Sequence, residues 1–92
     1  MDVKHVAGKK KGNIMLYALS TCGWCKRTKA LLEELGVEYD FTEVDLLKGE
    51  EQAEAIGKIK KFNNTGNFPT LIIDDKKCII GYQESDIREA LG

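Results

Sequence analysis

Two cysteines separated by two residues, Cys22-Gly23-Trp24-Cys25, stand where an apolar run gives way to a helical pattern. The run from Ile14 to Leu19 is apolar throughout and bounded by polar residues, which is typical of a buried strand. From Trp24 to Leu35, apolar residues recur at helical spacing, and Gly36 is placed to end the helix. The cysteine pair is therefore predicted at the N-terminal end of the first helix, directly after a strand.

The rest of the chain predicts three strands and two helices. They are a half-buried strand over Val37, Tyr39 and Phe41, a helix with Ala53, Ile56 and Ile59 inward, a strand Thr70–Ile73 opened by Pro69, a strand Cys78–Ile80, and a helix Ser85–Leu91 with Ile87, Ala90 and Leu91 inward. The order β-α-β-α-β-β-α opens with a right-handed parallel crossover and closes with an antiparallel hairpin. We expect an α/β fold with one mixed four-stranded sheet flanked by helices, the thioredoxin-like arrangement.

Length and composition limit the chain to one small domain. It has 92 residues, of which 42% are hydrophobic and 32% charged, an ordinary globular composition. The net charge of −1 argues against a nucleic-acid partner, and no apolar run approaches the ~20 residues of a membrane helix. Three cysteines without an export signal indicate a reduced compartment, so we expect a cytoplasmic protein.

Residues 1–13 differ in composition from the remainder. They contain four lysines and two glycines with few apolar residues, which predicts a flexible N-terminal leader. The domain is accordingly predicted to span residues 14–92. His5 lies in the leader and is expected to be inert rather than a ligand.

Positive charge collects near the cysteine pair. Residues 1–30 hold seven basic side chains and one acidic, whereas residues 31–92 hold seven basic and 14 acidic. Lys26, Arg27 and Lys29 follow the pair directly. Together with the free N–H groups and the positive dipole end of the helix, they favour a thiolate at Cys22. Cys22 is therefore the predicted nucleophile.

The two cysteines are expected to have unequal roles. Cys25 lies one helical turn further in and should be partly buried and remain a thiol. In the predicted cycle Cys22 attacks a substrate disulfide, and Cys25 resolves the mixed disulfide in a fast intramolecular step. Gly23 keeps a main-chain N–H that a proline would remove. Trp24 is expected to be exposed, to shield the thiolate and to give a substrate a flat contact.

A C-x-x-C pair also occurs in zinc sites. Structural zinc normally needs four ligands, often from two cysteine pairs. The further candidates are His5 and Cys78, which is isolated in a predicted strand and is interpreted as an ordinary buried cysteine. The position of the pair between strand and helix favours redox chemistry, and no metal site is predicted.

From about Ile14 to Gly92 the chain resembles the glutaredoxin family. Three landmarks carry the resemblance: Cys22-Gly23-Trp24-Cys25 after a strand, Phe68-Pro69 opening the third strand, and Gly81 to Asp86 before the last helix. Dithiol members of the family have C-P-Y-C or close variants, from which C-G-W-C departs. The resemblance implies that Pro69 is cis and lies against the cysteines. It also implies a substrate groove formed by Thr21, Gly23, Trp24, Phe68 and Pro69.

The residues that bind glutathione in the family match less well. A lysine commonly stands three residues before the first cysteine, where this chain has Leu19, and Thr-Val precedes the proline, where it has Asn67-Phe68. The resemblance implies that Gly81, Ser85 and Asp86 contact a small thiol, with Asp86 binding its free amino group. In the other interpretation, Ser85 caps the last helix and Asp86 complements the helix dipole.

The resemblance implies a thiol–disulfide oxidoreductase acting on protein disulfides or on mixed disulfides with a low-molecular-weight thiol. No tightly bound cofactor is expected, and glutathione or another small thiol would be the co-substrate. The chain also looks like glutaredoxin-like electron donors that are reduced by thioredoxin reductase. The expected partners are therefore disulfide-containing proteins and a small thiol or such a reductase, without nucleic acid or membrane. The alternative function is an iron–sulfur carrier, because some glutaredoxins hold a 2Fe–2S cluster between two protomers.

Overall fold

The computed structural model describes residues 3–92, which form a five-stranded mixed sheet and three helices. The elements in chain order are β1 (Lys4–Val6), β2 (Ile14–Ala18), α1 (Gly23–Leu35), β3 (Tyr39–Glu43), a 3-10 turn (Val44–Leu46), α2 (Gly49–Lys60), β4 (Thr70–Ile73), β5 (Lys77–Ile80) and α3 (Glu84–Leu91). The order across the sheet is β1-β3-β2-β4-β5, with β2 and β3 parallel and the other neighbours antiparallel. The predicted parallel crossover and closing hairpin are confirmed.

The sheet has five strands rather than the predicted four, because part of the predicted leader joins it. Strand β1 pairs antiparallel with β3, with His5 opposite Asp40. Their side chains also meet, since Nδ1 of His5 lies 2.6 Å from Oδ1 of Asp40. Beyond β1, the N–H of Glu38 donates to the carbonyl of Lys9 over 2.8 Å. The free edge of β3 offers main-chain partners even to a segment with little apolar content, which composition does not reveal. The first two residues of the predicted leader lie outside the described residues.

The sheet separates two hydrophobic cores. In β2, Leu16 and Ala18 belong to the first core and Tyr17 to the second, because side chains alternate along a strand. Helices α1 and α3 contribute to the first core, and α2 contributes to the second. The cysteine pair, at the start of α1, therefore lies on the side of the sheet that α1 and α3 cover.

In α2 and α3, fewer residues face the interior than the sequence pattern predicts. In α2, Ala55 and Ile59 are buried, whereas Ile56 is 38% exposed and Ala53 lies at the surface. The prediction for Ala53 and Ile56 is wrong because α2 is turned so that the line of Ala55 and Ile59, four residues apart, reaches the sheet. In α3, Ala90 is likewise exposed.

The bounds of α1 agree with the sequence prediction to within one residue. The helix begins directly after the turn that follows β2 and ends at Gly36, whose φ of 69° is left-handed. The N–H of Gly36 donates to the carbonyls of Glu33 and Leu32. The N–H of Val37 also donates to the carbonyl of Leu32, at 3.3 Å, so these carbonyls at the helix end have partners. Along its inward face Thr28 is also buried, and its hydroxyl donates to the carbonyl of Trp24 at 2.9 Å.

Candidate functional site

Cys22 caps the N-terminus of α1, which places its sulfur at the positive end of the helix. Its main chain is extended, with φ −88° and ψ 117°, and Sγ accepts a hydrogen bond from the N–H of Cys25 at 3.2 Å. A capping side chain makes this contact with the third residue of a helix, and the two-residue spacing puts Cys25 at that position. The donated N–H stabilises negative charge on the Cys22 sulfur.

Cys25 is completely buried, whereas Cys22 is half-buried. Burial first, and then the hydrogen bond with Cys22, raises the pKa of the Cys25 thiol to about 12, against the opposing effects of the Leu19 main chain and Lys29. Cys25 is therefore protonated at neutral pH. The pair consists of one accessible sulfur that receives a hydrogen bond and one shielded thiol directly behind it.

The basic residues that follow the pair have different surroundings. The first turn of α1 contains no acidic residue. The guanidinium carbon of Arg27 lies 5.2 Å from the ring centroid of Trp24. The Nζ of Lys29 lies 4.1 Å from the Phe41 ring centroid and 3.8 Å from Oε2 of Glu43. Part of the positive charge predicted near Cys22 is thus paired with a carboxylate.

Trp24 forms an exposed aromatic platform beside Cys22. Its side chain is 56% exposed, and its ring stacks on that of Tyr82 with centroids 5.8 Å apart and planes 22° apart. The predicted exposure of Trp24 is confirmed. Tyr82 was missed by the sequence analysis, although its place next to Gly81 in a stretch shared with the glutaredoxin family was a usable signal. Thr21 and Gly23 are also exposed, and a Cβ on Gly23 would meet no neighbour within 4 Å.

Phe68 and Pro69 join the cysteine pair to the Gly81 turn. The Phe68–Pro69 peptide bond is cis, as the resemblance implied. The carbonyl of Pro69 accepts a hydrogen bond from the N–H of Gly81 at 2.8 Å, and Gly81 has a φ of 81° that favours glycine. Phe68, Tyr82 and Cys22 all pack against the first core. Thr70, directly after Pro69, pairs with Tyr17 on one side and Ile80 on the other. The turns that carry Cys22, Pro69 and Gly81 therefore lie at one end of the sheet.

Ser85 and Asp86 lie exposed in the first turn of α3. The predicted cap at Ser85 is wrong, because α3 begins one residue earlier, at Glu84, and its capping residue is Gln83, which makes no side-chain capping bond. Glu84 and Asp86 place negative charge in this first turn, where the helix dipole favours it.

A groove of about 450 Å³ runs between α2 and the loop before β4. Five apolar side chains line this groove, termed the α2 groove, together with polar side chains of α2, Asp45 and the loop before β4. The apolar ones are Leu19, Val44, Ile56, Ile59 and Phe68, and most of the exposed surface of the groove is apolar. Asp45 stands at its rim and accepts hydrogen bonds from both the N–H of Ser20, at 2.8 Å, and the Ser20 hydroxyl. These bonds lower the pKa of Asp45. No local pattern in the sequence indicates this contact, because Ser20 and Asp45 lie 25 positions apart.

The loop that borders the α2 groove is held together by its own polar side chains. Buried Asn63 donates from Nδ2 to the carbonyl of Asn67 at 3.0 Å. Its Oδ1 accepts from the N–H and the hydroxyl of Thr65, at 2.9 and 2.5 Å. The Thr65 side chain is therefore engaged within the loop.

The remaining candidate ligands do not join the pair in a metal cluster. Cys78 is half-buried on β5 against the second core, and burial raises the pKa of its thiol. His5 lies on β1, paired with Asp40. Within residues 3–92, no group of three or more His, Cys, Asp or Glu side chains is arranged to hold a metal ion. None of the described helices is both long and apolar enough to span a membrane.

Comparison with known proteins supports the landmarks. The glutaredoxin family model matches residues 14–79. The structure of a glutaredoxin from Methanosarcina mazei Go1 is 49% identical, with a TM-score of 0.92 over 98% of this chain and 87% of that one. Methanoredoxin of Methanosarcina acetivorans is 50% identical, with a TM-score of 0.89 over 92% and 90% of the two chains. Glutaredoxin 1 of Rickettsia prowazekii is 36% identical over 67% of this chain and 62% of its own length. The predicted thioredoxin-like fold is confirmed.

Proposed function

The chain belongs to the glutaredoxin family and is a thiol–disulfide oxidoreductase, and we propose that Cys22 is its nucleophile and Cys25 its resolving thiol. The substrates in this proposal are protein disulfides and mixed disulfides with a small thiol. The observation that carries it is the hydrogen bond from the Cys25 N–H to Cys22 Sγ, combined with complete burial of the Cys25 thiol.

The proposed cycle transfers two electrons to the substrate disulfide. The Cys22 thiolate attacks one substrate sulfur, a Cys22–substrate disulfide forms, and the other substrate sulfur leaves as a thiolate. The Cys25 sulfur then attacks the Cys22 sulfur, and the Cys25 proton passes to the departing substrate sulfur. The second substrate thiol is released, and a Cys22–Cys25 disulfide remains. Proximity favours this second step, because the two residues share one helical turn.

The proposed substrate groove surrounds the exposed side of Cys22. Trp24, stacked on Tyr82, gives it an aromatic wall, and the opposite wall is formed by Phe68 and Pro69. Thr21 and Gly23 lie exposed beside the sulfur and complete the groove in this proposal. Gly23 leaves open space where another residue would carry a side chain.

A reductant must return the Cys22–Cys25 disulfide to the dithiol. We propose glutathione or another small thiol, or a reductase like thioredoxin reductase, with no tightly bound cofactor. Gly81, Ser85 and Asp86 are the candidates to contact the small thiol, because Asp86 offers an exposed carboxylate to an amino group. The net charge of −1 supports a protein without a nucleic-acid partner, and in this proposal the protein is cytoplasmic and has no membrane partner.

Turnover of one mixed disulfide with two reductants tests the proposal. A protein disulfide is assayed beside it, and each substrate is reduced with glutathione and, separately, with thioredoxin reductase. Cys22→Ser should abolish activity with both, whereas Cys25→Ser should keep mixed-disulfide reduction and lose reduction of protein disulfides. Cys78→Ser is the matched control and should retain both activities. Equal losses in Cys22→Ser and Cys25→Ser would contradict the assigned roles.

Anaerobic purification separates this function from the alternative of an iron–sulfur carrier. The proposal expects a colourless protein with two thiols oxidised per catalytic cycle. A brown dimer that contains iron and sulfide would contradict it and support cluster transfer.

A further inference from the structure

We propose that the α2 groove is a subsite for an uncharged, apolar side chain next to the disulfide of a protein substrate, and that it disfavours an anionic thiol such as glutathione. This inference rests on the proposed role of Cys22. It adds a substrate class and a specificity-determining residue, Asp45, to that role.

The α2 groove is linked to Cys22 through Leu19, which lines the groove. The carbonyl of Leu19 accepts a hydrogen bond from the N–H of Cys22 at 3.3 Å, and Phe68 packs against the same core as Cys22. Both Leu19 and Phe68 also line the groove. A chain joined to the Cys22 sulfur therefore has the groove beside it, and a groove of about 450 Å³ readily holds one side chain.

The chemistry of the walls indicates an apolar occupant. Leu19 stands where glutaredoxins commonly have a lysine, so this wall offers apolar surface in place of a positive charge. Ile56 is 38% exposed on α2 and faces the groove. Covering such surface with an apolar side chain is favourable, since both surfaces leave water.

The charge at the rim gives an acidic occupant no net attraction. Among the described lining residues, Asp45 and Lys60 are charged. Ser20 fixes the Asp45 carboxylate with its N–H and hydroxyl, and the lowered pKa keeps that carboxylate ionised at neutral pH. A carboxylate placed beside Leu19 would meet this fixed negative charge and an apolar wall. The single lysine offsets the charge of Asp45 and leaves no excess of positive charge.

Three matched peptide disulfides test the inference. Each short peptide has one cysteine, joined by a disulfide to nitrothiobenzoate, and the peptides differ in one neighbouring residue: leucine, serine or aspartate. The Cys22 thiolate attacks the peptide sulfur, a Cys22–peptide disulfide forms, and coloured nitrothiobenzoate thiolate leaves with the electron pair of the broken bond. The reduced protein supplies the electrons, so a single turnover requires no added reductant.

The native protein should react with the leucine peptide about tenfold faster than with the serine peptide, as burial of most of a leucine side chain allows. The aspartate peptide should react most slowly. Ile56→Gln should remove most of the preference for leucine. Leu46→Gln is the matched control, because Leu46 is 60% exposed and lies outside the groove. Asp45→Asn should raise the rate of reaction with the aspartate peptide about threefold.

The outcomes distinguish this inference from the proposed function. Equal rates for the three peptides would overturn the inference and leave the role of Cys22 standing. A glutathione–nitrothiobenzoate disulfide that reacts faster than the leucine peptide would also overturn it, as would equal effects of Ile56→Gln and Leu46→Gln. No reaction with any of these disulfides would overturn the proposed function itself.

Discussion

The two faces of the sheet are closed in different ways. Helices α1 and α3 cover the first core, where Leu32 and Ile87 are fully buried, and this packing also buries Cys25 completely. Helix α2 covers the second core, and there Ile56 stays 38% exposed and the α2 groove remains open. One face of the sheet is therefore closely packed and buries Cys25, whereas the other face leaves the α2 groove accessible.

The largest difference between the two faces should appear in the free energy of unfolding of two large-to-small variants. Leu32→Ala removes a fully buried side chain of the first core, and we expect a loss of about 2–5 kcal/mol in the free energy of unfolding. Ile59→Ala, at a 4% exposed position of the second core, should cost less, because the open face can relax around the deletion. Urea unfolding of both variants measures the difference. A larger loss for Ile59→Ala would show that the second face is the better packed one.

Alkaline pH should sharpen the contrast between Cys25 on the first face and Cys78 on the second. The folded pKa of Cys25 is raised to about 12, mainly by burial, whereas an unfolded cysteine titrates near about 8.5. The folded state then holds the proton that the unfolded state has lost. The stability contribution of Cys25 is therefore complete below about pH 8.5 and is lost as pH rises towards about 12.

Cys25→Ala should flatten the alkaline decline between about pH 8.5 and 10, by at most about 1.4 kcal/mol per pH unit. Cys78→Ala should flatten it less, because Cys78 is only half-buried. Urea unfolding at a series of pH values gives both slopes. Burial also raises the pKa of Tyr39 to about 12. Tyr39 therefore also lowers the free energy of unfolding as pH rises above about 10, and it does so in every variant. A steeper effect for Cys78→Ala would contradict the assignment.

Surface ion pairs should give the smallest effects on either face. Arg88 of α3 lies 2.5 Å from Glu34 of α1 and 2.8 Å from Glu84, so it joins the two helices over the first face. Lys58 of α2 lies 3.7 Å from Glu54 within its own helix. Arg88→Ala should lower the unfolding midpoint slightly at low salt and less at high salt, and Lys58→Ala should lower it even less. An effect of Arg88→Ala that salt leaves unchanged would show that the ion pairs are not its cause.

Much of the fold was predictable because each element carries its own periodicity. The strand-to-helix position of the cysteine pair, the parallel crossover and the closing hairpin all follow from patterns a few residues long. Strand β1 was not predictable in this way. Its pairing depends on the free edge of β3, which lies more than 30 positions further along the chain. The residues of α2 and α3 that face inward also depend on how each helix is rotated about its axis against the sheet.

The residues of the candidate site likewise divide into those placed by local interactions and those placed by distant parts of the chain. Cys22 as the cap and Cys25 as the buried partner could be predicted, because the hydrogen bond that joins them spans three positions. Tyr82 behind Trp24 and Asp45 beside Ser20 were missed. Both contacts are made by residues far apart in sequence, and neither tyrosine nor aspartate is unusual in a turn.

The amino-acid sequence by itself determined the order of the elements and the asymmetry of the two cysteines, because a helix start and its cap are set by interactions within one turn. The tertiary structure decided the surroundings of Cys22. Which aromatic ring supports Trp24, which carboxylate Ser20 fixes, and how far α2 leaves its groove open depend on the rotation and spacing of whole elements. Those quantities are set by packing across the sheet, and no local pattern contains them.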